Sequence, residues 1–236
     1  GVFMKDKQRN YNRRYPYEYN IFRTMFYMSF LFCVVIPFMK IFYNYTITGR
    51  ENLPTKAKSG KFIYTANHVS IFDPPMVSMA AMRPIAYMAK KELFEPGEKL
   101  GWLVKRLGAF AVDRTKPEIA TFKTVRDILA TSWSLGVFPQ GGIRPYGKIE
   151  EIKKGFVVIA KNAKADIIPV GIANFDGYPK LKPFTRRNVD LRIGKPISYK
   201  LPEDVIIYEW CKQISELAGY ENCAPVPDSY RENIAV

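Results

Sequence analysis

His68 and Asp73, five positions apart in the stretch Asn67-His68-Val69-Ser70-Ile71-Phe72-Asp73-Pro74, are the residues of this sequence best suited to moving a proton. If the intervening residues turn back on themselves, the carboxylate reaches one ring nitrogen and the other is left to face a hydroxyl. Such a pair is a general base near neutral pH, because the carboxylate fixes the tautomer and stabilises the imidazolium. His68 is the only histidine in the chain, so no second imidazole competes for the role. The same residues also suit a structural purpose: an aspartate directly before a proline is a good helix N-cap with proline at the first helical position. Spacing alone leaves both readings open.

The elements around the pair favour a site. Residues 62–66 read as a strand and residues 74–82 as a helix, and the carboxyl end of a strand in an open α/β sheet is where ligands bind. Further strands are expected at 43–48, 85–88, 109–112, 136–138, 166–173 and 189–193. Further helices are expected at 98–107, 118–133, 153–162 and 203–217. This alternation indicates an α/β fold with a mixed, largely parallel sheet flanked by helices. The N-terminal segment is expected to be helical and membrane-associated.

That segment differs from the rest in composition. Lys5, Lys7, Arg9, Arg13, Arg14 and Arg23 stand among Tyr11, Tyr15, Tyr17 and Tyr19, and residues 24–39 then carry no charge. As a helix those residues reach about 24 Å, short of a hydrocarbon layer of about 30 Å. Basic and tyrosine-rich flanks suit an interfacial anchor, since cations meet lipid phosphates and phenol rings sit at headgroup depth. A buried core helix is the alternative. The expected division is therefore a membrane-anchoring segment over 1–42, a catalytic domain over 43–224 and a surface tail over 225–236.

The chain carries 36 Lys and Arg against 22 Asp and Glu, a formal charge of +14, which calls for anionic partners. Nucleic acid, anionic lipid and phosphorylated carriers all qualify, but no nucleic-acid-binding signature is present, and no nucleic-acid partner is expected. Cys33, Cys211 and Cys223 lack ligand-like spacing, so neither a metal nor another cofactor is expected.

The stretch NHVSIFDP resembles the H-x-x-x-x-D signature of the glycerolipid acyltransferase family, which includes the bacterial lysophosphatidate acyltransferases. Further blocks are similar to that family in the same order: Ile47 to Pro54 resembles its entry segment, and Gly108 to Arg114 its second block. Phe138-Pro139-Gln140-Gly141-Gly142-Ile143-Arg144 resembles its third block, usually FPEGTR, and Ile168 to Ile172 its fourth. The resemblance implies that His68 deprotonates an acceptor hydroxyl for direct attack on a thioester, that Asp73 orients His68, and that Arg114 holds the acceptor phosphate. Asn67, Lys90, Gln140, Gly141, Gly142 and Arg144 are the other residues it places at the substrate. It further implies acyl-CoA or acyl carrier protein as donor, a lysophospholipid acceptor and an anionic membrane surface, at the cytoplasmic face of the cell membrane. The absence of a G-x-S-x-G nucleophile motif agrees with direct transfer. The third block departs from the pattern, with Gln140 in place of glutamate, Gly142 in place of threonine and Ile143 inserted before Arg144, which bears on the choice of acceptor.

Overall fold

The computed structural model describes residues 13–54, 62–95, 98–112, 119–144, 147–149, 152–175, 186–222 and 224–230. Its centre is a seven-stranded sheet in the order β1-β8-β7-β2-β5-β3-β4. The strands are β1 (Tyr43–Thr48), β2 (Phe62–Ala66), β3 (Ile85–Lys90), β4 (Phe110–Val112), β5 (Ser134–Val137), β7 (Asp166–Ala173) and β8 (Arg187–Ile193). β6 (Lys148–Ile149) pairs with β9 (Glu221–Asn222) in a separate small ribbon. Among the described residues every pairing in the main sheet is parallel except β7 with β8. The mixed, largely parallel sheet expected from the sequence is present.

This topology decides where the chemistry can sit. β2, β5, β3, β4 and β7 share a direction, so their carboxyl ends lie on one edge. β8 and β1 run the other way, which brings the start of β1 to that same edge. Central β2 is buried along its whole length, as an apolar run covered on both faces must be.

The covering helices are α1 (Ile21–Phe42), α2 (Asp73–Ala81), α3 (Lys99–Arg106), α4 (Ile119–Leu129), α5 (Gly155–Ala163) and α6 (Glu203–Ala218). α1 spans 22 residues, about 33 Å, because it takes in Arg23 and Lys40 at the ends of the uncharged run. Asn20 caps it, accepting the Arg23 N–H at 3.0 Å. Leu31–Val35 forms a π turn in which the Ile36 N–H reaches Leu31 O. Pro37 explains that widening, since its ring would collide with the carbonyl four residues earlier in a regular α-helix.

One stripe of α1, Tyr27, Leu31, Val35 and Met39, joins the main hydrophobic core, while Ile21, Phe22, Met25, Phe32, Val34 and Ile41 face outward. The buried stripe fits the core-helix alternative, and the other face leaves apolar residues exposed. The basic residues before α1 are also used inside the fold. Arg14, 4% exposed, donates to Ala109 O and pairs with Glu18, and Arg13 pairs with Asp127. Tyr19 Oη donates to Gly108 O and Arg23 to Lys105 O, so this segment grips the turn that enters β4.

One expected helix is shorter than the sequence pattern suggested. α4 stops at Leu129 because the Thr131 hydroxyl closes the helix end on Ile128 O, at 2.6 Å, and accepts the Trp133 N–H. Trp133 instead leads into β5 and is fully buried, with its indole N–H donated to Thr24.

Candidate active site

His68 lies two residues past the end of β2 and Asp73 is the first residue of α2. The four residues between them turn back, and His68 Nδ1 stands 2.7 Å from Asp73 Oδ2. The same oxygen accepts the Val69 and Ser70 N–H groups at 2.7 and 2.8 Å. An ordinary cap would bind the second or third N–H ahead of it, but Pro75 has none and the Met76 N–H is taken by Phe72 O at 3.1 Å, and the carboxylate turns backwards onto its own loop. Asp73 is fully buried and the His68 side chain is 14% exposed, which leaves Nε2 as the ring atom available to a substrate. Burial pushes the Asp73 carboxyl above its ordinary range, while His68 and the two N–H groups pull against that rise.

The loop after β5 clamps His68 from three directions. Gln140 Oε1 accepts the His68 N–H at 2.9 Å, and the Arg144 N–H reaches His68 O at 2.8 Å. The Phe138 ring lies 4.1 Å from the imidazole at 21°. Gly141 shapes the loop at φ +72°, a conformation that favours glycine, with its N–H on Phe138 O.

The residues expected at the substrate therefore separate. Gln140 is 2% exposed and its amide oxygen is occupied by the His68 backbone. Asn67 is fully buried and extends the β2–β7 pairing through its side chain: Nδ2 donates to Ile172 O at 2.9 Å, and Oδ1 accepts the Ile172 N–H at 2.8 Å. Lys90 is exposed at the end of β3, on the same sheet edge as His68. Gly142 is half-buried and the Arg144 residue exposed, both in the loop that holds His68. Arg114 lies outside the described residues.

Sequence reasoning missed several supports. Tyr220 Oη accepts from Asn67, Phe72 stacks on Phe38 of α1 at 5.6 Å, and Tyr87 lies beside Phe138 at 5.8 Å. None has a motif. Their only signal is that an aromatic residue near the His68 loop has to be packed by something.

Residues 44–173 match the model of a family described as Acyltransferase. The 1-acyl-sn-glycerol-3-phosphate acyltransferase of Streptococcus pneumoniae is 32% identical over 176 residues, 73% of this chain and 63% of that protein. The enzyme of the same name from Bacillus subtilis is 32% identical over 152 residues, 64% of this chain and 72% of its own length. The chain thus spans just under two thirds of the pneumococcal relative. Among solved structures, the crystal structure of the 1-acyl-sn-glycerophosphate (LPA) acyltransferase PlsC from Thermotoga maritima superposes with a TM-score of 0.62 at 24% identity, covering 81% of this chain and 76% of that one. At that identity the likeness concerns the fold.

Proposed function

Because the chain belongs to the acyltransferase family, we propose that it moves a fatty acyl group from a thioester to the free hydroxyl of lysophosphatidate, with His68 as base. The observation that carries this reading is the His68–Asp73 contact at 2.7 Å, with Nε2 directed away from it at the carboxyl edge of the sheet. Nε2 takes the hydroxyl proton as the acceptor oxygen attacks the thioester carbonyl. The tetrahedral intermediate then collapses, the carbon–sulfur bond breaks, and the proton passes to the leaving thiolate. Asp73 holds Nδ1 protonated throughout and stabilises the transient imidazolium. The products are one ester and one thiol.

Acyl-CoA and acyl carrier protein are both phosphorylated thioesters and suit a chain of charge +14. Arg114 is the proposed contact for the acceptor phosphate, since a guanidinium binds two phosphate oxygens at once and stays charged. The relatives' names support lysophosphatidate as the acceptor.

The outer face of α1 supports seating in one leaflet, and the cytoplasmic face is the side proposed for it. A helix whose Tyr27, Leu31, Val35 and Met39 are buried in the protein core cannot be ringed by lipid, whereas its exposed Phe22, Met25 and Phe32 can enter the interface. On this reading the boundary at residue 42 separates surface roles, with the core common to both sides.

The test supplies labelled acyl-CoA or acyl carrier protein to the full chain in vesicles containing lysophosphatidate, glycerol phosphate or other lysophospholipids. Phosphatidate should form with wild type and not with His68→Ala. Transfer to another acceptor alone would overturn the acceptor assignment, and transfer to none would overturn the activity.

A further inference from the structure

A chain of contacts runs from the buried face of α1 to both members of the His68–Asp73 pair, and Tyr87 is its junction. On one side the Tyr87 hydroxyl donates to Pro74 O at 2.8 Å, holding the carbonyl of the residue next to Asp73. Ser78 Oγ donates to the same carbonyl at 2.9 Å and lies 3.0 Å from Tyr87 Oη. Tyr27 of α1 completes the cluster, its hydroxyl 2.6 Å from Ser78 Oγ. On the other side the Tyr87 ring lies nearly parallel to Phe138, at 17°, and Phe138 in turn lies 4.1 Å from the imidazole. The ring is fixed from below as well. It rests on Gly136, where an added Cβ would come within 2.3 Å of Tyr87 Cε1. Burial drives the Tyr87 hydroxyl well above its usual pKa, so it remains a donor at working pH.

We propose that Tyr87 is a positioning residue that sets the His68–Asp73 alignment, and that Tyr27 extends this support into the lipid-facing helix. The hydroxyl determines where the first turn of α2, and so Asp73, sits. The ring determines where Phe138, and so the imidazole, sits. Both members of the pair thereby take their positions from one side chain. Because α1 presents apolar residues outward and Tyr27 inward, the helix is part of the catalytic support as well as a surface for lipid. The catalytic consequence rests on the proposed role of His68.

The single histidine allows a direct test that does not depend on turnover. This 236-residue chain carrying 15N-histidine and an affinity tag free of histidine gives ring signals from His68 alone. In wild type those signals should show one tautomer, with a hydrogen-bonded Nδ1–H. Tyr87→Phe keeps the ring and removes the hydroxyl; Tyr27→Phe removes the next hydroxyl; Gly136→Ala displaces the ring from below. Each should move the His68 signals. In the transfer assay Tyr87→Phe should lower kcat about tenfold with both KM values within about twofold, as expected for a misplaced group rather than a lost contact. Val35→Ala, on the same buried face of α1 but outside the hydroxyl chain, controls for lost packing. It should lower stability while leaving the ring signals and kcat unchanged. Unaltered His68 signals in Tyr87→Phe would overturn the proposal, as would equal effects of Tyr27→Phe and Val35→Ala. If wild type transfers no acyl group, the proposed function falls, while the imidazole signals still decide the support.

Discussion

Replacing Asp73 by asparagine separates the charge of this residue from its shape. Oδ2 of Asp73 receives three donors, at 2.7, 2.7 and 2.8 Å, and Oδ1 is buried with no hydrogen-bond partner among the described residues. An asparagine oxygen can keep the three donors only if its amide nitrogen takes the Oδ1 position, where two buried protons go unbonded at a cost of about 1–3 kcal/mol in stability. The reverse orientation sets an NH2 group against three donors. In either orientation the negative charge facing the imidazolium is gone. For charge centres about 4 Å apart at an effective dielectric near 20, that charge is worth about 4 kcal/mol. At 1.36 kcal/mol for each factor of ten, transfer should slow about a thousandfold. Formation of labelled phosphatidate at saturating donor, followed in vesicles, measures it. His68→Ala should fall at least as far, and the double variant no further than His68→Ala alone, since the two residues act as a unit. An Asp73→Asn enzyme retaining more than about a tenth of wild-type rate would refute the reasoning, because a neutral acceptor would then serve as well as a carboxylate.

Three further outcomes are expected. Arg114→Ala should reduce kcat/KM for lysophosphatidate about thirty- to a thousandfold while sparing the donor KM, with lysine restoring part of the loss; an indifferent variant would remove the phosphate role. In a Cys223→Ser background a maleimide should label Cys33, exposed on α1, and anionic vesicles should protect it; burial pushes the Cys211 thiol up to about 12, so Cys211 should stay unreactive until the chain unfolds. Asp73 has a raised folded pKa, so its contribution to stability is fully present below the ordinary carboxylate value and is lost as pH climbs through the raised one. His68→Ala removes a group that opposes the rise, and its stability deficit in urea should therefore be larger at about pH 7.5 than at about pH 4, an equal deficit contradicting the coupling.

Much of the frame was readable before any coordinates because its signals are local. β2 is a short apolar run between turns, and the His68 to Pro74 stretch carries ligand-site spacing on a strand-to-helix junction. The end of α4 was harder, since the apolar pattern continues to Trp133 and only the Thr131 hydroxyl, folding back on Ile128, stops the helix. Gln140 and Asn67 were expected at the substrate, and the contacts that occupy them were not legible. One serves the His68 backbone and the other a β7 residue more than a hundred positions away, and local sequence holds no record of such pairings. Tyr27 and Tyr87 were invisible for the same reason, each reading as one more ring in an apolar element.

The π turn in α1 acts as a phase correction. A regular α-helix rotates about 100° per residue, so a stripe spaced at every fourth residue drifts about 40° with each step. The wider turn at Leu31–Val35 absorbs that drift and lets Tyr27 and Met39 face the same core. Closing this turn to a regular α-helix with every residue kept would swing everything before it about 100° relative to Phe38. Tyr27 would leave Ser78, and Arg14 and Tyr19 would leave the turn before β4, although every side chain concerned would still be present in the sequence. The two ends of α1 thus keep time with different parts of one structure, and the backbone of a single wide turn, whatever its side chains, holds them in step.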